Sequence, residues 1–240
     1  GPGESTIIGH VGIDETNRRF FVSDHGKLKI FAYDLDSVLT TPEYQPSVKI
    51  DMKKKLFPDD YLYLNDTLCI AKIIEPIGNN DYKPSVARWN MATGEINPMP
   101  YEYPDLKKVR FIYAASAEHQ LYVQCYTQYD LMTICDFNGN LKCNIYGPKW
   151  VNEKTQTQHY SLGVEFCGDK ILALYSGGDH RTDAYYPTKF LVFDLNGNYL
   201  KTLETGYMIT DFCYDKENNR LIINLNDEIQ FAYLDLEGII

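Results

Sequence analysis

Asp14-Glu15-Thr16-Asn17-Arg18-Arg19-Phe20-Phe21-Val22 returns far along the chain, almost position for position, as Asp215-Lys216-Glu217-Asn218-Asn219-Arg220-Leu221-Ile222-Ile223. Each copy reads as a polar tight turn feeding a dense apolar strand. Asp and Asn side chains satisfy their own backbone at a turn, and the branched or aromatic residues that follow suit a pleated surface. Weaker versions are Asn65-Asp66-Thr67-Leu68-Cys69-Ile70, Glu118-His119-Gln120-Leu121-Tyr122-Val123 and Gly168-Asp169-Lys170-Ile171-Leu172-Ala173. Downstream of each version lies an apolar stretch that ends in an acid or amide and a turn. These stretches are Phe31–Asp36, Ala87–Gly94, Ile134–Asn140, Val192–Asn198 and Ala232–Gly238. Asn-Gly between apolar runs is a strong hairpin signal, because both residues tolerate the positive φ of a tight turn. The copies recur about every fifty residues, near the upper end for propeller blades, and each repeat reads strand, turn, strand, loop, strand, turn, strand.

The hydrophobic pattern within a repeat selects the architecture. Middle strands such as Lys170–Tyr175 and Leu221–Leu225 are nearly continuous in apolar residues, as burial on both faces requires. The last strand Ser47-Val48-Lys49-Ile50-Asp51-Met52 alternates, as an outer strand with one wet face should. A blade packed between neighbours and exposed at its rim gives this gradient, whereas a sandwich would alternate in most strands. No segment sustains a helical period. The expected fold is all-β: a β-propeller of four-stranded antiparallel blades, with about five repeats at roughly 6–53, 58–100, 108–147, 159–205 and 208–240 of one domain over 1–240.

The 240 residues are 44% hydrophobic and 23% charged, ordinary for a globular chain, and no apolar run reaches bilayer length. Aromatics make up 14%, with 20 Tyr against 2 Trp, a usage suited to half-buried pleated surfaces. The net charge of −10 repels phosphate backbones and anionic lipid, so nucleic acid is excluded as an expected partner. The one basic run, Lys53-Lys54-Lys55, reads as the solvated end of a strand. Cys69, Cys125, Cys135, Cys143, Cys167 and Cys213 show neither a C-x-x-C pair nor histidine at ligand spacing, and read as buried free thiols rather than a zinc site. Cys125, Cys135 and Cys143 could fall on three adjacent strands, where the register decides whether any pair can bridge.

With these residues in view, the chain resembles the exported bacterial six-bladed propeller proteins described as TolB-like, many of them lipoproteins. The resemblance covers nearly the whole chain and rests on the Asp-x-x-Asn-x-Arg turns, the Asp-Leu-Asn-Gly hairpin at 194–197 and the opening Gly1-Pro2-Gly3-Glu4. That opening looks like the Gly-Pro-Gly-Glu which follows the first blade in that group. The resemblance implies export to the periplasm or cell surface, with a lipid anchor outside this chain. It also sets a conflict, since the family closes six blades and five repeats are present, the fifth ending at Gly238-Ile239-Ile240. Either upstream sequence supplies a sixth blade, or Ser5 to His10 completes the last sheet as its closing strand.

In propellers generally, the loops joining the second strand to the third, and one blade to the next, crowd one face, and ligands bind there. Here these are Ser23–Lys27, Glu75–Pro84, Tyr126–Leu131, Gly177–Thr188 and Asn226–Glu228, with linkers near Pro58, at Tyr101–Pro104, at Gly147–His159 and near Gly206. Glu75–Pro84 and Gly177–Thr188 are long for hairpin connections. The stretch Ser176–Pro187 collects a titratable ring, a guanidinium, two carboxylates and two phenols, which makes His180, Arg181 and Asp183 candidates for polar recognition and Tyr185 and Tyr186 candidate stacking surfaces for a sugar or peptide. The competing reading is a solvated loop whose tyrosines cap a neighbouring blade. Trp150 and His159 are the candidates in the polar linker, although an aromatic following Gly147-Pro148 more often packs a linker onto the core. Asn80-Asp81-Tyr82-Lys83 is a weaker contributor.

Catalytic signals are absent: no Gly-x-Ser-x-Gly elbow and no zinc-binding His-Glu pair occurs. The recurrent Asp34, Asn90, Asp136, Asp194 and Asp235 read as caps for their own hairpins; calcium through a ring of loop carboxylates is the alternative, and no other cofactor is expected. Two functions follow. The first is a non-catalytic exported propeller binding a protein, peptide or glycan on its loop face. The second is a carbohydrate- or lactone-directed hydrolase or lyase using channel-lining carboxylates or His159 and His180.

Overall fold

A computed structural model describes residues 5–78, 81–104, 106 and 108–240. The fold is an all-β propeller of five up-and-down antiparallel sheets. Blade 1 comprises β1 (Ile8–Asp14), β2 (Arg19–Asp24), β3 (Lys29–Asp34) and β4 (Ser47–Asp51), and blade 2 β5 (Phe57–Asn65), β6 (Leu68–Gly78), β7 (Asp81–Asn90) and β8 (Glu95–Pro98). Blade 3 comprises β9 (Phe111–Ser116), β10 (Leu121–Tyr126), β11 (Leu131–Asp136) and β12 (Leu141–Tyr146). Blade 4 has β13 (Thr157–Cys167), β14 (Lys170–Asp179), β15 (Lys189–Asp194) and β16 (Tyr199–Glu204), and blade 5 has β17 (Ile209–Asp215), β18 (Arg220–Leu225) and β19 (Phe231–Asp235). The chain divides into two compact units: Gly1–Glu102 holds blades 1 and 2, and Tyr103–Ile240 holds blades 3 to 5.

The turn chemistry that identified the repeat is built as the residues require. Asp14 accepts from the Asn17 amide at 3.2 Å and from the Arg19 guanidinium at 2.6 Å, while Asp215 accepts from Asn218 N at 3.2 Å and from Arg220 Nε at 2.8 Å. Between these partners Arg18 and Asn219 take positive φ, of 50° and 47°. Their carbonyls then accept from Leu35 N and Leu236 N, so each turn anchors the end of the third strand beyond it. The opposite hairpins close on their own acids: Asp136 accepts from Asn138 N and Asn140 N, Asp194 from Asn196 N and Asn198 N, and Asn90 and Asp235 from the amides two residues on. Asp34 differs, because it caps the short helix α1 (Leu35–Thr40) by accepting from Ser37 N at 2.7 Å. One and a half turns are too short to leave a period in the sequence.

Packing follows the expected gradient in blades 3 and 4. Every residue of β10 is buried, while β4, β8, β12 and β16 stay partly or fully exposed. Within the second unit, Met132 and Ile134 of blade 3 pack on Tyr160, Ile171 and Phe193 of blade 4. Leu172, Phe190 and Val192 of blade 4 pack on Leu221 and Ile223 of blade 5. Within the first unit, Phe21 and Ile30 meet Tyr61, Ile73 and Trp89. Each such aliphatic or aromatic side chain contributes about 1.5–3 kcal/mol when buried in full.

Four expectations need correction. Glu75–Pro84 is not a long loop, because β6 and β7 run out as one extended hairpin, with Ile74 opposite Pro84 and Pro76 opposite Tyr82. Pro58 and His159 lie inside β5 and β13 rather than in linkers. Ser5 to His10 does not close the last sheet: Ile8–His10 belong to β1, and Thr6 binds Asp24 of blade 1. Blade 5 has three strands among the described residues, in keeping with a fifth repeat that ends at Gly238-Ile239-Ile240. Its β18 alternates instead of being buried on both faces, because blade 4 covers only the side with Leu221, Ile223 and Leu225. Cys125, Cys135 and Cys143 do sit on adjacent strands, yet Cys135 lies opposite Tyr122 and Cys125 opposite Met132, so the thiols stay free.

Candidate functional site

Three segments of the second unit leave the same ends of their strands: residues 127–130 between β10 and β11, the linker 147–156, and residues 180–188 between β14 and β15. Backbone groups stitch them together. Thr155 Oγ1 donates to Gln128 O at 3.1 Å, His159 N to Thr127 O at 2.8 Å and His180 N to Gln156 O at 3.2 Å. Six of the seven residues singled out by sequence have described side chains on or beneath this surface; Asp183 stands in a single 3-10 turn with Ala184 and Tyr185. Asn80, the weaker candidate, lies outside the described residues.

In the 180–188 loop the polar groups are held by the loop itself. Arg181 grips Asp179 through two contacts, Nε to Oδ1 at 3.0 Å and a terminal nitrogen to Oδ2 at 2.6 Å. The guanidinium beside it, with the Arg181 amide, holds the Asp179 carboxyl well below the usual carboxylate range. His180 Nδ1 lies 2.9 Å from Gln156 O, and since a carbonyl only accepts, that nitrogen carries the proton. Ser176 Oγ donates to Ala184 O at 2.7 Å and folds the loop back on β14. Tyr185 and Tyr186 stack on each other, centroids 4.2 Å apart and planes 28° from parallel, both half-buried.

Trp150 stands in a nest of tyrosines: Tyr146 at 5.1 Å, Tyr103 at 5.8 Å and Tyr129 at 6.3 Å between ring centroids. Offset and edge contacts of this kind fix the ring plane. The Trp150 side chain is partly buried among these rings.

Beneath the linker lies a buried polar cluster. Asp130 and His159 are each 1% exposed, with His159 Nδ1 3.7 Å from Asp130 Oδ1 and 3.2 Å from the Tyr175 hydroxyl. Asp130 Oδ2 accepts from Lys149 N at 2.9 Å, but Oδ1 has no hydrogen-bond partner among the described residues, and neither do His159 Nε2 and Ser161 Oγ. Burial lowers the His159 pKa, the Asp130 charge opposes that, and Lys149 adds to it; the net direction is down. Burial raises the Tyr175 pKa, and Asp130 raises it further. Lys189 reaches over the Tyr175 ring at 5.8 Å. Gly147 has no side chain where one would collide with the Asp130 carboxylate, so the linker can lie directly on it.

Asp130, Tyr175 and Tyr103 were not among the residues the sequence singled out. The trace they leave is the Gly147-Pro148 pair, which marks a close backbone approach, but not what is approached. Among the described residues no three His, Cys, Asp or Glu side chains gather closely enough to hold a metal ion. No described helix is long and apolar enough to cross a membrane.

No protein-family model matches the chain, and no curated protein does. Solved structures do. The extracellular domain of BT4673 from B. thetaiotaomicron aligns with a TM-score of 0.60 at 11% identity, over 96% of this chain and 28% of that one. A chain of the nidogen/laminin complex aligns at 0.59 and 11%, over 96% of this chain and 76% of that one, and a chain of the mitotic checkpoint complex at 0.50 and 7%, over 98% and 78%. The chain thus spans little more than a quarter of the BT4673 domain. At these identities the likeness is one of fold, the β-propeller.

Proposed function

We propose that this chain is a non-catalytic exported propeller of the six-bladed TolB-like kind, which binds a protein, peptide or glycan on the loop face of blades 3 and 4. The reading is carried by one observation: two aromatic platforms, the Tyr185–Tyr186 stack and the nested Trp150, are held by loops that are bonded to one another. Rigid aromatic surfaces lose little entropy on contact with a ligand, and the polar groups around them supply orientation. Ligand contact would fall to Trp150, Tyr185, Tyr186, His180, Arg181 and Asp183, with His159 acting from below. Export to the periplasm or cell surface draws support from the extracellular BT4673 domain. Propellers in the nidogen/laminin and mitotic checkpoint structures occur in protein complexes, which supports a macromolecular ligand.

Glycan and peptide arrays identify the ligand, and Trp150 reports it. The other tryptophan, Trp89, is buried in the first unit, so a ligand on this face should shift emission in wild type and leave Trp150→Phe silent. A full shift retained in Trp150→Phe would remove the site from this face. The second reading, a hydrolase or lyase, draws on His159 beside Asp130 and Tyr175. Burial of both groups weighs against it, since a general base must reach the proton it abstracts.

A further inference from the structure

Residues 147–150 turn over the buried Asp130 and are fixed there by backbone bonds. Gly147 N donates to Asp130 O at 2.8 Å, Lys149 N to Asp130 Oδ2 at 2.9 Å and Trp150 N to Gly147 O at 3.1 Å. The turn therefore presents an ammonium and an indole side by side from a held backbone. The exposed Lys149 side chain reaches from the linker to blade 4, where a Cβ on Gly177 would stand 3.7 Å from its Nζ and 3.0 Å from the Tyr175 ring. Gly177, at a φ of 71°, leaves that space open. On either side of it the Tyr185–Tyr186 loop folds down: Ser176 Oγ donates to Ala184 O, and a side chain on Gly178 would collide with the same oxygen. Lys149 thus shares a turn with one aromatic platform and reaches the strand residues that seat the other. Its charge is also unspent. Arg181 is held by Asp179, and Lys189 lies 3.8 Å from Glu204, whereas the Lys149 ammonium has no ion pair among the described residues; Asp130 meets its amide.

We propose that the ligand of this face is an acidic sugar, a glycan bearing uronic acid, whose rings rest on Trp150 and on the Tyr185–Tyr186 stack while its carboxylate accepts from the Lys149 ammonium. The proposal rests on the loop-face reading above and names the ligand class for it. A sugar ring needs a flat apolar surface and a few placed polar groups, which is what the face supplies. A peptide is read largely through its main chain, and the carbonyls of Thr127, Gln128, Gln156 and Ala184 already accept bonds within the protein. The net charge of −10 repels a densely charged polyanion, so a sparse carboxylate fits better than clustered sulfate.

The probes are tetrasaccharides of galacturonate, glucuronate and mannuronate, each beside its methyl ester, which keeps the rings and removes the charge. They are titrated against the full chain at low salt while Trp150 emission is followed, with a blocked tetraglutamate peptide and a heparin tetrasaccharide as the other anions. At least one uronate should bind about fivefold tighter than its ester, the size of effect that an exposed ion pair produces. Lys149→Gln, which keeps the amide that bonds Asp130, should erase that preference. Equal binding of acid and ester, a preference that survives Lys149→Gln, or tighter binding of the peptide or of heparin would overturn the proposal and leave the loop face standing. An emission that no sugar or peptide changes would overturn the loop-face reading and the proposal with it.

Discussion

Blades 1 and 3 each bury a carboxylate at the same end of the sheet, and the two are treated in opposite ways. Asp24, 0% exposed, receives five donors: Thr6 N and Oγ1, Ile7 N, Gly26 N and Lys27 N. Burial alone would raise its pKa, but those bonds outweigh it and hold the carboxyl well below the usual range. Asp130, equally buried, accepts a backbone bond from Lys149 at Oδ2, while its Oδ1, 3.7 Å from His159 Nδ1, has no hydrogen-bond partner among the described residues. A fully bonded buried carboxylate is a fastening, because its charge is compensated locally. An incompletely bonded one beneath a surface of aromatic platforms is a feature that stability does not account for. On the function proposed above, the difference separates a structural plug in the first unit from the floor of the proposed binding surface in the second.

The largest test of this contrast is substitution at the two acids. Asp24→Asn removes the charge that five donors converge on and should cost about 3 kcal/mol, whereas Asp130→Asn, which loses one charge-assisted bond, should cost about 1 kcal/mol. Urea melts of the two variants measure both, and equal losses would break the comparison. Acid sharpens it. Because the folded pKa of Asp24 is depressed, its contribution is complete above the ordinary carboxylate pKa near 4 and is lost as the pH falls below that value. Wild type should therefore lose more stability than Asp24→Asn between about pH 4 and pH 2.

A smaller effect belongs to His159. Its folded pKa lies below the ordinary value, so the unfolded chain binds the extra proton first and stability falls as the pH drops through about 6.5. Asp130, Tyr175 and Lys149 are the groups that face or influence the ring. His159→Phe should flatten the stability profile between about pH 7 and pH 5, measured by melting temperature. An unchanged slope would place the titration elsewhere. The smallest effect is expected from calcium. Asp136 and Asp194 already accept backbone and Asn side-chain bonds from their own hairpins, so millimolar calcium or a chelator should leave the melting temperature where it was. A rise of several degrees with calcium would show those acids to be ligands.

The fold was legible because its turns are local. Asp14, Asn17 and Arg19 meet within six residues, as do Asp215, Asn218 and Arg220, and such short-range bonding writes itself into sequence as a repeat. The loops that carry Trp150, His180, Tyr185 and Tyr186 were legible from composition and length. What joins them was not. Asp130, His159 and Tyr175 come from a turn and two strands, and only the packing of blade 3 on blade 4 brings them into one buried cluster, which the linker closes through the Lys149 amide. Glu75–Pro84 was misread for a related reason. Its prolines and glycine signal a loop, yet the hairpin extends beyond the neighbouring strands, where a missing N–H is tolerated.

The most direct measurement is ligand affinity and melting temperature for Tyr185→Ala/Tyr186→Ala, by calorimetric titration of the ligand the arrays return. If the stack is a platform, affinity should fall by tenfold or more, about 1.4 kcal/mol, with the melting temperature nearly unchanged. Unchanged affinity together with a large loss of stability would make the two rings part of the core and contradict the account.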